Sequence, residues 1–135
     1  MRFHVLGLPQ AGTTRAYYVC GFIPAIVHFC RMMKDLGHEV ILYGHEENEA
    51  TVDEHVAVIS KKESERYLGG VHFVAAPFES QCGLWAMTNR RMSDEIGKRK
   101  RPGDLVALLG GSSQEAAIAV RHNKAFAFAK DIVTA

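Results

Sequence analysis

Short apolar runs that end in glycine alternate along this chain with longer segments of helical period, which predicts an α/β fold. Phe3-His4-Val5-Leu6-Gly7-Leu8 reads as a buried strand opening into the loop Pro9-Gln10-Ala11-Gly12-Thr13-Thr14. Phe22, Ile26, Phe29, Met33 and Leu36 then recur at steps of four and three, which predicts a helix with those residues on its buried face. Pro24 suits its first turn, and Gly37 its left-handed stop. Glu39-Val40-Ile41-Leu42-Tyr43 completes a strand, helix, strand unit that ends at Gly44.

The chain turns polar from His45 to His55, predicting a solvated loop, and Val56 to Ile59 reads as a third strand. Lys61 to Leu68 has the length of a short helix stopped by Gly69-Gly70, and Val71 to Val74 alternates like a strand before Pro77. A longer helix is expected from a Ser80 cap to about Lys98, with Trp85, Met92 and Ile96 at helical spacing. Asp104 to Leu109 is the next strand, running into Gly110-Gly111. Ser112 or Ser113 would cap a helix after it, and Ala125 to Phe128 would form a last strand. The expected architecture is one Rossmann-like domain over residues 1–135, an open, mainly parallel sheet with helices on both faces. The strands at Phe3, Glu39 and Asp104 should bring Gly7, Gly44 and Gly110 to one edge.

Composition narrows the classes. A length of 135 residues supports one core, and 47% hydrophobic with 23% charged residues is a globular balance. A net charge of +1 gives no reason to expect nucleic-acid binding. Lys98-Arg99-Lys100-Arg101 could touch phosphates, but it lacks interleaved aromatics and suits a solvated helix end. Cys20, Cys30 and Cys82 are odd in number without C-x-x-C spacing, so a reduced, cytoplasmic setting is expected. No stretch approaches the length of a membrane span.

Candidate chemistry concentrates in the loops beyond the strands' carboxyl ends, where open α/β sheets bind ligands. Gly7 to Thr14 has the glycine spacing of a phosphate-binding loop, but Thr13 stands where the phosphate-reaching lysine belongs. Gly7, Gln10, Gly12, Thr13 and Thr14 are therefore candidate substrate-binding residues rather than parts of a nucleotide hydrolase. Gly110, Gly111, Ser112 and Ser113 form a second small-residue turn where N–H groups could meet a phosphate or a sugar hydroxyl, although a serine-capped turn explains the same residues. His45 and Glu46 are the candidate general base pair by location. No metal site is expected, since no histidines pair at ligand spacing.

Arg2-Phe3-His4-Val5-Leu6-Gly7-Leu8-Pro9, the helix end Met32 to Val40 with its Gly37-His38-Glu39-Val40, and Tyr43-Gly44-His45-Glu46 together resemble the N-terminal domain of GT-B glycosyltransferases. Asp53-Glu54-His55-Val56 and Ile96-Gly97-Lys98-Arg99-Lys100 more specifically resemble a phage and environmental group of glycosyltransferase-like proteins. The resemblance covers residues 1 to about 120. It implies the acceptor-side half of an enzyme that transfers a sugar from a nucleotide-sugar donor to a hydroxyl acceptor, here as a fragment or remnant inactive alone. The implied partners are a sugar or glycosylated acceptor and a C-terminal donor domain that is missing from the sequence. No cofactor is implied beyond the nucleotide-sugar co-substrate. The alternatives are a stand-alone nucleotide- or sugar-binding module without catalysis, and a nucleic-acid accessory protein working through Lys98 to Arg101.

Overall fold

The computed structural model describes residues 1–109, 118, 121–122 and 125–127. Strands β1 (Arg2–Leu6), β2 (Glu39–His45), β3 (Glu54–Ile59), β4 (Leu105–Leu108) and β5 (Ala125–Ala127) form one sheet in the order β3-β2-β1-β4-β5. Every pairing is parallel, with Phe3 level with Val40 on one side and with Leu105 on the other. After β1 the chain builds outward to β3, then returns to the other side of β1 for β4. The topological switch point therefore lies between the carboxyl ends of β1 and β4.

Helix α1 (Phe22–Asp35) covers one face, and α2 (Lys61–Tyr67) and α3 (Phe78–Arg99) cover the other. The alternation of the central strands sets this division. Phe3, Val5, Val40 and Leu42 join Ile23, Ile26, Phe29 and Cys30 of α1, while Leu6, Ile41, Tyr43 and Val106 join Met92 and Ile96 of α3. Helices on both faces of an open parallel sheet are what the alternation of runs predicts.

Three local expectations are corrected. The buried face of α1 is Ile23, Ile26, Phe29 and Cys30, whereas Phe22 is 40% and Leu36 65% exposed. Phe22 opens the helix, and Leu36 is already the C-cap. Residues 71–74 are no strand: Phe73–Ala75 is a 3₁₀ turn, begun by His72 accepting from the Val74 N–H and held by Gln81 Nε2 donating to Phe73 O and Ala76 O. Ser80 caps nothing, because α3 starts two residues earlier after Pro77, whose carbonyl accepts from Gln81 N at 3.1 Å. The expected cap at Ser112 or Ser113 lies outside the described residues.

The two segments that carry the more specific resemblance meet at the amino edge of the sheet. Arg99 at the end of α3 donates to Glu54 at the start of β3, at 3.1 Å. Beside it Asp53 accepts from Val40 N at 2.7 Å and from Lys34 Nζ at 2.6 Å, tying α1 to β2. The Lys34 ammonium first, and the Val40 N–H with it, hold the Asp53 carboxyl below the usual range.

Candidate functional site

The loops after β1 and β2 emerge side by side at the carboxyl edge and are in backbone contact from their first residues. Gly7 N donates to Tyr43 O at 2.7 Å, and a Cβ on Gly44 would lie 3.2 Å from the Gly7 Cα. Gly44 has φ +149°, a value that favours glycine. At Gly12 a Cβ would approach Glu47 O to 2.7 Å, so glycine is needed there for close approach.

Beyond Gly12 the two loops are zipped together. Thr13 N donates to Glu47 O at 3.0 Å and Glu49 N donates back to Thr13 O at 2.9 Å, a short parallel bridge outside the main sheet. Thr13 Oγ1 donates to Asn48 Oδ1 at 2.5 Å, and the same oxygen accepts from Ala50 N at 2.8 Å. Arg15 N donates to Glu49 Oε1 at 2.9 Å, and Tyr17 OH to Glu47 Oε1 at 2.8 Å. The N–H groups of Gly7, Thr13 and Arg15 are thus spent on β2 and the loop that follows it.

His45 lies on no exposed loop. It ends β2, is 5% exposed and packs under the Tyr17 ring with centroids 5.9 Å apart. Burial lowers its pKa against the opposing pull of Glu47 and Glu46, so the ring is neutral at physiological pH. Its Nδ1 accepts from Glu47 N at 3.1 Å, which puts the remaining proton on Nε2. The ring therefore presents an N–H donor, suited to holding an oxygen rather than to taking a proton from it. His55 Nε2 donates to the His45 carbonyl at 2.9 Å and fixes the strand end.

Glu46 points away from its neighbour. Its Oε2 accepts from Lys61 N at 2.6 Å, where a carboxylate satisfies an open donor at the start of α2. His45 and Glu46 are adjacent in sequence but do not form an acid–base pair. Thr14 is half-buried and offers its carbonyl to Tyr17 N. Gln10 is half-buried, and its Oε1 is buried with no hydrogen-bond partner among the described residues. Next to it, Pro9 O accepts from Ser64 Oγ of α2 at 2.9 Å. Gly110, Gly111, Ser112 and Ser113 lie outside the described residues.

The polar group joined here is thus Tyr17, His45, Glu47 and His55, of which three were not singled out from the sequence. Glu47 and Tyr17 are partners across 30 residues, a pairing that no local spacing encodes. Gly7, Leu8, Ala11, Thr13, His45 and His55 line an indentation that has no room for a water molecule with the loops zipped as they are. Among the described residues no three His, Cys, Asp or Glu side chains are grouped to hold a metal ion. No described helix is long and apolar enough to cross a membrane. No protein-family model, curated protein or solved structure matches this chain.

Proposed function

We propose that this chain is the acceptor-side domain of a GT-B-type glycosyltransferase, holding a hydroxyl-bearing acceptor at the carboxyl edge beside β1. The observation that carries the reading is Gln10 Oε1, an acceptor left unpaired on the first loop after β1. A buried polar atom without a partner costs about 1–3 kcal/mol, a penalty that a donor hydroxyl from a ligand would relieve. His45 Nε2–H supplies a complementary donor on the adjacent strand end. The sheet order supports the same edge, since ligands of such sheets bind at the switch point next to β1. The resemblance of residues 2–9 and 43–46 supplies the reaction class.

Transfer in two-domain enzymes requires a donor site facing the acceptor, so residues 1–135 alone are expected to bind acceptor without turning over sugar. The test is an NMR titration of the chain with a panel of simple glycosides and, separately, nucleotides, followed by incubation with nucleotide sugars and glycosides together. We expect weak glycoside binding that shifts the Gln10 and His45 signals and is lost in Gln10→Leu, with no product formed. Binding of nucleotide alone would favour the stand-alone module.

A further inference from the structure

The geometry points to residues 12–17 as a lid latched over His45 through Glu47, released when His45 takes up a proton. The inference rests on the loops' own geometry and not on the glycosyltransferase reading.

Three observations define the latch. The lid's backbone is joined to the second loop through Thr13, which bonds Glu47 O and Glu49 N. Its far end is held by Tyr17, whose hydroxyl donates to Glu47 Oε1 and whose ring covers His45. Glu47 is itself held by His45, because Glu47 N donates to Nδ1. Glu47 thus carries the Tyr17 fastening and one backbone bond to Thr13, and the histidine beneath the lid sets the position of Glu47. The remaining bonds, from Thr13 to Asn48 and from Thr13 and Arg15 to Glu49, go to the same loop as Glu47. Arg15 and Ala16 are exposed, so apart from Tyr17, which packs against the core beside α1, opening uncovers little apolar surface.

Protonation changes what Nδ1 can do. With a proton there, the nitrogen faces the Glu47 N–H as donor against donor, and the nearby acceptor is Glu47 Oε1 at 4.0 Å. Drawing that oxygen to the imidazolium takes it from Tyr17. Glu46 also favours the ring's charge, while Lys61 and His55 oppose it. Tyr17 stays neutral throughout, its phenol pushed up to about 12 by burial and by Glu47. Burial in the closed form disfavours the charged ring, whereas an opened, hydrated ring titrates near the ordinary value of about 6.5. Opening therefore takes up a proton. The open population should grow up to about tenfold per pH unit as the pH falls from 6.5 toward the depressed value. The indentation beneath the lid, closed at neutral pH, would gain room as the loops part.

The test is amide hydrogen exchange of the full chain by NMR, corrected for the intrinsic pH dependence of exchange. We expect protection of the Thr13 and Glu49 amides to fall severalfold between pH 7 and 5.5 while Val5 and Leu42 in the sheet hold theirs. His45→Asn, which keeps an acceptor and cannot titrate, should flatten that dependence. Tyr17→Phe should lower Thr13 protection already at pH 7.5. Loss of protection in parallel with Val5 and Leu42 would overturn the latch, as would a pH dependence that survives His45→Asn. An unchanged Thr13 in Tyr17→Phe would overturn it too, and this arm decides even where His45→Asn does not fold.

Discussion

Gly7 and Tyr43 are pressed together at the point where their strands end, with Gly7 N donating to Tyr43 O at 2.7 Å and the space for a Gly7 side chain filled by that same oxygen. A Cβ at Gly7 would lie 2.7 Å from it, and the obstacle is backbone, which cannot swing aside. Gly7→Ala should therefore part the two loops at their root and cost about 1–3 kcal/mol. Gly21 is the control, since its backbone is already helical and nothing lies within 4 Å of an added Cβ. Gly21→Ala should be neutral or stabilise by about 0.4–1 kcal/mol. Urea unfolding of the two variants settles it, and equal effects would mean the Gly7 contact is not close in solution.

The buried stripe of α1 gives a second contrast. Phe29 is buried edge-on against Phe3, with ring centroids 5.6 Å apart, so Phe29→Ala should cost about 3–5 kcal/mol. Leu36→Ala, at a residue 65% exposed, should stay within about 0.5 kcal/mol. A large loss at Leu36 would restore the face that the sequence spacing suggests.

That contrast also shows what sequence pattern conveys. Strands, their glycine exits and the shared carboxyl edge were legible because burial on both faces leaves continuous apolar runs. Of the expected helical face Ile26, Phe29 and Met33 pack on the core, but Phe22 and Leu36 lie at the helix ends while Ile23 and Cys30 take the buried positions, a choice that only the sheet decides. Val71 to Val74 has strand-like composition, yet the structure spends it on a turn pinned by Gln81. At the site, the importance of Gly7 and Gly12 was visible in their spacing, but not its cause, which is loop-to-loop contact. The zipper of Thr13 with Glu47 and Glu49 is made largely of backbone bonds between distant residues, and such bonds leave little trace in residue type.

Arg91 of α3 ties three elements together. It forks onto Glu63 of α2 at 2.8 and 3.0 Å and also donates to Val58 O at 3.0 Å, joining α3, α2 and β3. Arg91→Lys keeps the charge but loses the planar fork, so it should cost about 0.5–1 kcal/mol, modest because both side chains are partly exposed. A double-mutant cycle with Glu63→Gln measures the coupling, and a value near zero would show that solvent has replaced the pair.

The last expectation concerns His4, which sits fully buried in β1 between Tyr43 of β2 and Asp104 just before β4. Its Nε2 lies 2.7 Å from Asp104 Oδ2 and its Nδ1 lies 2.7 Å from Tyr43 OH. Asp104 would raise the histidine's pKa and burial lowers it, and burial prevails. Burial would by itself raise Asp104, but the Arg101 N–H, His4 and Arg2 outweigh it and hold the carboxyl below its usual range. The consistent arrangement at neutral pH is an ionised Asp104, a neutral His4 donating to it from Nε2, and Tyr43 donating to Nδ1. An unfolded chain protonates His4 near 6.5 and the native one does so only at lower pH, so the unfolded state binds more protons in between. Stability should therefore be level from pH 8 to 7 and decline below about 6.5. Each buried neutral histidine, His4 and His45 alike, contributes up to about 1.4 kcal/mol per pH unit to that decline. A second decline should begin below about 3.8 as Asp104 is forced to protonate. His4→Leu should remove its share of the first decline while lowering stability at pH 7.5, because Asp104 and Tyr43 each lose a partner. Urea unfolding from pH 8 to 4 reads both effects, and a stability that rises from pH 7 to 5.5 would mean that Asp104 wins and His4 is charged in the native protein.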